Sequence, residues 1–225
     1  VKLLTQNSDL KKSGVYGWTL PAHFTTLSDG RRFNTCPSAG VCGAFCYAKY
    51  GMYTFKNVKK SHLQKLELVL NNRAEWKRMM LEELSNKKYK GKFIRIHDAG
   101  DFFSQDYAED WIDIARKNKE INFYTYTKEV ELFKMKLRSS IPQNFIVIYS
   151  FGGKQDYLIN VELDRHSDVF YDYEKMIAEG YNDIGEDDKL SATGSHKVGL
   201  YRNNIPHLIK KMGAKKFSEW QKKNY

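Results

Sequence analysis

The 225-residue chain has only three cysteines, four prolines and no long apolar run. An odd number of cysteines confined to the eleven residues from Cys36 to Cys46 excludes a dispersed disulfide scaffold and points instead to metal ligands. So few prolines, with no repeat or low-complexity stretch, leave no interdomain linker to read. A single domain over 1–225 is expected, with 1–53 as a cysteine-loop segment, 54–154 as helices and a βαβ core, and 155–225 as a variable C-terminal part. The apolar run Phe145 to Tyr149 is far short of the roughly 18 residues a membrane span needs. With a mean hydropathy of −0.63, no membrane partner is expected. The first ten residues show neither an apolar core nor a small-residue cleavage site, so the expected location is cytoplasmic. The remaining composition, 41% hydrophobic and 28% charged, is that of an ordinary globular chain.

Charge is in excess but unevenly spread. The net +10 comes from 37 Lys+Arg against 27 Asp+Glu; residues 1–92 hold 17 against 6, and 189–225 hold 9 against 1. Between them, 155–188 holds 2 against 11. The basic residues of 56–92 and 189–225 therefore make nucleic acid a candidate partner, with tyrosines available to stack on bases. Lysines opposite an apolar stripe are also what any solvated helix face shows.

Hydrophobic period gives the elements. Val15 to Leu20 alternates as a strand does. A helix is predicted from Thr54, and Asn72 with Glu75 resembles a capping box that starts a second one. After Gly91, strands are predicted at Phe93 to Ile96, Ile121 to Tyr126 and Phe145 to Ser150. A helix capped by Ser104 separates the first pair, and a short one over Val130 to Leu137 the second. Such alternation predicts an α/β fold with a parallel sheet, either open or a partial (βα) barrel. Within the acidic stretch only a helix around Asp172 to Glu179 is readable. A last strand over Val198 to Tyr201 and terminal helices near 205–212 and 217–223 are also expected.

The strongest chemical signal is the loop holding Cys36, Cys42 and Cys46 in a C-x5-C-x3-C arrangement. Thiolates take soft metals, and three of them leave one coordination position open. With zinc, His23, His62 or His97 could supply the fourth ligand; with a 4Fe–4S cluster, one iron would stay free for a small molecule. Three buried apolar thiols are the plain alternative. His97, Asp98, Gly100 and Asp101 directly follow a predicted strand, at the sheet edge where α/β proteins bind ligands. There His97 could donate a proton or ligate, and Asp98 or Asp101 could accept from a cofactor amine or ribose. Asp101 or Ser104 could equally cap the next helix. Thr125, Thr127 and Lys128 end the next strand, with Lys128 either meeting a carboxylate or phosphate or standing in solvent. Ser150, Gly152 and Gly153 end the third, where glycines allow close approach to a ligand or a tight turn. Ser191 to His196 reads as a flexible turn, and His62, His166 and His207 as surface or packing residues.

These strings carry a resemblance. Lys2-Leu-Leu-Thr5, Asn7 to Leu10, Leu20-Pro-Ala22, Cys36-Pro37 through Cys46-Tyr-Ala48, Arg95 to Ser104, and Phe123 to Lys128 resemble, in order, the gene product 88 family of phage and mobile-element proteins. That family is in turn similar to radical S-adenosylmethionine enzymes, where three cysteines after the first strand of a partial barrel hold a 4Fe–4S cluster. The resemblance implies that the open iron takes the amino and carboxylate groups of S-adenosylmethionine, whose reductive cleavage gives a 5′-deoxyadenosyl radical. From their place at the strand ends, the candidate catalytic residues are His97, Asp98, Asp101 and Lys128, and the candidate cofactor contacts are Asp98, Gly100, Asp101, Thr125, Thr127, Ser150, Gly152 and Gly153. This chain departs from that superfamily's C-x3-C-x2-C spacing, and lacks both its glycine-glycine-glutamate string after Ile96 and a second cysteine group near the C-terminus. The rival expectation is a non-enzymatic module for nucleic acid or protein, stabilised by a structural zinc or iron–sulfur site.

Overall fold

Short apolar runs separated by amphipathic helices bury both faces best as parallel strands covered by helices. The computed structural model describes residues 2–185, 187–201, 205–213 and 215–224. The chain begins with α1 (Ser8–Lys12), capped by Asn7, and β1 (Val15–Trp18). A small antiparallel hairpin, β2 (Phe24–Thr26) and β3 (Arg32–Asn34), precedes the cysteine loop, which contains the short helix α2 (Val41–Ala44). Next come α3 (Lys56–Asn71), α4 (Arg73–Leu84), β4 (Phe93–Ile96), α5 (Gln105–Lys117), β5 (Asn122–Thr127) and β6 (Phe145–Ser150). The C-terminal part supplies β7 (His166–Phe170), α6 (Tyr173–Ala178), β8 (Asn182–Asp183), α7 (Leu190–Thr193), β9 (Lys197–Tyr201), α8 (Pro206–Met212) and α9 (Phe217–Asn224).

Seven strands form one sheet in the order β1-β4-β5-β6-β7-β9-β8, with every pairing parallel, and the sheet curls into a half-barrel. The α/β partial-barrel expectation holds. Alternate residues face opposite sides. Ile94, Ile96 and Phe123 face the helices, where Trp18, Trp76 and Trp111 meet with ring centroids 5.4 to 6.0 Å apart. Each such fully buried ring contributes roughly 1.5–3 kcal/mol from removed apolar surface. On the other face Val15, Tyr124, Ile148, Ala192 and Val198 form a second core.

The α5 helix shows the local logic. Tyr107, Trp111 and Ile114 recur at the helical period and are buried, and Ser104 Oγ accepts from Tyr107 N–H at 3.3 Å. Replacing Ser104 by Ala should lower stability by about 1 kcal/mol, read as a shift in urea midpoint; an unchanged midpoint would show that the cap contributes nothing.

Two expectations are corrected. Ser191 to His196 is no flexible turn throughout: Ser191 and Ala192 lie buried in α7, Ala192 in the second core with Tyr124 and Ile148. Tyr126 donates to Ser191, and the Arg165 guanidinium donates to the carbonyls of Ser191, Gly194 and Ser195. The acidic stretch also holds an unforeseen central strand, β7. Of the histidines, His166 is a packing residue, its Nδ1 2.9 Å from Asp164 O and its Nε2 3.1 Å from the Tyr181 hydroxyl. The side chain of His207 lies outside the described residues.

Candidate functional site

Parallel strands end together, so the loops after β1, β4, β5 and β6 meet along one edge of the sheet, the usual ligand edge of α/β folds. The cysteine loop is stitched across that edge. Gly152 O accepts from Gly40 N–H (3.1 Å) and Cys42 N–H (3.0 Å), and Lys154 N–H donates to Ser38 O (2.8 Å). Ser38 N–H and Oγ–H both donate to the Glu129 carboxylate, at 3.0 and 2.9 Å, and Asp101 N–H donates to Thr35 O at 3.0 Å. A Cβ on Gly153 would stand 2.9 Å from Lys128 Cβ and 3.0 Å from Ser38 O. Glycine there lets the β6 loop, the Lys128 stem and the cysteine loop meet. The N–H groups of Gly152 and Gly153 donate to Asp156, each at 2.8 Å, so the pair's amides are engaged by the protein itself. From below, α9 supports α2: Gln221 Oε1 accepts from Val41 N–H at 2.8 Å, and Phe45 packs on Phe217 and Trp220.

The three cysteines are free and half-buried. Burial, then Asp101, pushes the Cys36 thiol up; burial, then Cys42, pushes Cys46 up to about 11. Beside them the Lys128 ammonium is buried rather than solvated, and donates to Ser150 Oγ at 2.9 Å. Burial alone would lower its pKa, yet Cys42, Asp101, Asp156 and Cys36 hold it above the ordinary lysine value. An ammonium in this place is therefore the natural counter-charge to thiolates.

Asp101 organises the strand ends. Its carboxylate accepts from Phe102 N–H (2.8 Å), Thr127 Oγ1–H (2.7 Å) and Lys128 N–H (2.9 Å), and Thr127 Oγ1 accepts from Glu129 N–H at 3.0 Å. Burial raises the Asp101 pKa, while these donors oppose the rise. Burial, then Asp101, brings Glu129 up to about 7. Thr125 Oγ1–H donates to Ile96 O at 3.0 Å. Asp101, Thr125 and Thr127 thus hold the edge together. Gly100, at φ +84°, brings its backbone against Leu20, where a Cβ would stand 2.9 Å from Leu20 Cβ, so packing accounts for this glycine.

His97 is packed among aromatic rings. At φ +65° its ring packs on Phe102 and Tyr107, with Nε2 2.9 Å from the Tyr107 hydroxyl, and burial lowers its pKa to about 3. Asp98 stays at the edge: Tyr53 donates to its carboxylate, Tyr47 donates to its backbone carbonyl, and the Arg95 guanidinium is 3.5 Å away. Arg95 also reaches Asp188 at 3.3 Å, while its buried Nε has no partner. Ser167 Oγ, aligned with Ser150 in the sheet, is likewise buried and unpartnered.

Among the described residues, no three His, Cys, Asp or Glu side chains converge to hold one metal ion. His23 lies beside Gly43, with its pKa lowered by burial, then Lys49; His62 lies against Tyr53 and is lowered to about 4 by burial. Three free thiols in one loop are a soft donor set, of the kind that takes zinc or an iron–sulfur cluster. The Ser38–Glu129 clasp, the Arg95–Asp188 pair and the unpartnered Ser167 were not foreseen. Only the position of Glu129 next to a strand-end lysine signalled any of them.

A family model described as gene product 88 matches residues 2–223. The gene 88 protein of Mycobacterium phage L5 is 29% identical over 132 residues, covering 55% of this chain and 54% of that protein. The gene 88 protein of Mycobacterium phage D29 is 31% identical over 110 residues, covering 45% of each. The chain spans about half the length of the curated relatives it matches. No solved structure matches it, and among the described residues no helix is long and apolar enough to cross a membrane.

Proposed function

The chain belongs to the gene product 88 family, and on that premise we propose that Cys36, Cys42 and Cys46 hold a 4Fe–4S cluster in a radical S-adenosylmethionine-type enzyme. The observation that carries this reading is a three-thiol loop fastened over the ligand edge of a parallel half-barrel, around the buried ammonium of Lys128. Three thiolates in a buried place need a compensating charge, and Lys128 is fixed there by Ser150 and by the close approach of Gly153. Three cysteines leave one iron without a protein thiolate, a position suited to an amino acid's amine and carboxylate. A cluster bound there would supply one electron to the sulfonium of S-adenosylmethionine.

The chain's own residues do the positioning. Asp98, steadied by Arg95, Tyr47 and Tyr53, offers a carboxylate at the edge for an amine or a ribose hydroxyl. Ser150, Lys128 and the unpartnered Ser167 offer polar groups on the next strands. Asp101 keeps the ends of β4 and β5 in register, and His97 sits behind them as packing.

The test is metal and sulfide content after anaerobic purification and reconstitution, with electron paramagnetic resonance of the reduced protein before and after adding S-adenosylmethionine. About four irons per chain and a spectrum altered by the cofactor are expected. Zinc alone, or a cluster indifferent to the cofactor, would overturn the enzyme reading and leave a metal-stabilised binding module.

A further inference from the structure

Residues 30–66, which contain all three cysteines, hold seven Lys or Arg and no Asp or Glu. Two of the seven are committed: Arg31 pairs with Asp29 at 2.6 Å, and Lys65 is buried over the Trp18 ring. Lys49 Nζ donates to Gly43 O at 2.6 Å, and the Arg32 guanidinium lies over the Phe24 ring at 5.2 Å. Lys56, Lys59 and Lys60 are exposed and form no ion pair among the described residues. The first turn of α3, where they begin, has neither a side-chain cap nor an acidic residue.

The next helix is the internal control. On α4, Arg73 pairs with Asp106 and Asp110, Lys77 with Asp110 and Asp113, and Arg78 with Glu75 and Glu82. Charges on α4 are thus neutralised largely by α5, whereas those of the lobe from Lys49 to Lys60 are left for a partner. That lobe also exposes apolar side chains: Met52 is 60% and Phe55 57% exposed, and Phe24 on the neighbouring hairpin is 53% exposed. It is anchored to the ligand edge, because Tyr47 and Tyr53 both donate to Asp98.

We propose that this lobe binds single-stranded nucleic acid and delivers it to the edge covered by the cysteine loop. Unmatched lysines neutralise phosphates, and exposed Phe and Met side chains accept unstacked bases, which a duplex would not present. An anionic membrane surface fits less well. The apolar stripe of α3, Leu66 and Val69, is spent on the core, and two apolar side chains among lysines offer little to insert. Delivery to the thiol edge rests on the cluster reading above; binding by the lobe does not.

The test is fluorescence anisotropy of labelled oligothymidylate with the full chain, both as purified and after cluster reconstitution. Affinity should fall with salt at a log–log slope of about −2, the value for some three phosphates on a single strand. The Lys56→Glu, Lys59→Glu, Lys60→Glu variant should lose on the order of ten-fold or more in affinity and flatten that slope. Phe55→Ala should weaken binding roughly ten-fold with the slope unchanged. The charge-matched variant Lys87→Glu, Lys88→Glu, Lys90→Glu should bind much as the native chain does; circular dichroism verifies that all variants are folded. No salt-sensitive binding, equal loss in both triple variants, or capture by phosphatidylserine vesicles but not by the oligonucleotide would each overturn the proposal. Binding retained by protein that takes up no iron would sink the cluster reading and leave this one standing.

Discussion

If the proposed cluster is bound, Cys42→Ser protein reconstituted without oxygen is expected to take up almost none of the iron and sulfide that the native chain takes up in parallel. Removing an outer partner of a metal site already costs ten- to a hundred-fold in affinity, and losing a ligand thiolate costs more. The fold should survive, because what ties position 42 to the sheet is its backbone N–H on Gly152 O, which serine keeps. Unchanged far-ultraviolet circular dichroism with absent iron is therefore the expected pair of results; full iron retention would refute Cys42 as a ligand. Lys128→Met separates charge from ligation. It should keep the iron but make the cluster harder to reduce, since the ammonium beside Cys42 and Cys36 favours an added electron. An unchanged reduction potential would show that the Lys128 charge does not act on the cluster.

How much of this was readable from the sequence depended on whether a signal was local. The strands at Phe93, Phe123 and Phe145 are apolar runs, and Ser104 with Tyr107, Trp111 and Ile114 is a cap followed by a stripe; both are visible without tertiary knowledge. The strand from His166 to Phe170 was not readable, because His166, Ser167 and Asp168 are polar yet fully buried. The partners of His166 and Asp168, Tyr181 and Ser218, lie 15 and 50 residues away. At the site, the cysteine spacing was legible, but the roles of its neighbours were not. Asp101, Thr127 and the Gly152–Gly153 pair carry ligand-binding residue types, and they also make hydrogen bonds that fasten loops to the edge. The basic segment 56–92 read as one surface. Its division into an unmatched lobe and a neutralised helix depends largely on Asp106, Asp110 and Asp113 arriving from another element.

Asp168 carries the other large effect, one of pH. Its side chain is fully buried in β7, where Ser218 Oγ–H donates at 2.5 Å and Ser218 N–H at 3.2 Å, with Lys216 Nζ 3.9 Å away and Tyr181 and Glu179 nearby. Burial outweighs these donors and lifts the carboxyl from 3.8 to about 7. The folded state therefore holds a proton that the unfolded chain has already released, so the contribution of Asp168 to stability is fully present below about pH 4, is lost as pH rises toward 7, and changes no further above that. The full change corresponds to roughly 4 kcal/mol. Asp168→Asn keeps an acceptor for Ser218 N–H and removes the charge, so its melting temperature should fall less between pH 5 and 8 and exceed that of the native chain at pH 8. Some slope should remain, because Glu129, raised to about 7, works in the same direction. Identical pH profiles for the two proteins would show that Asp168 does not titrate in this range.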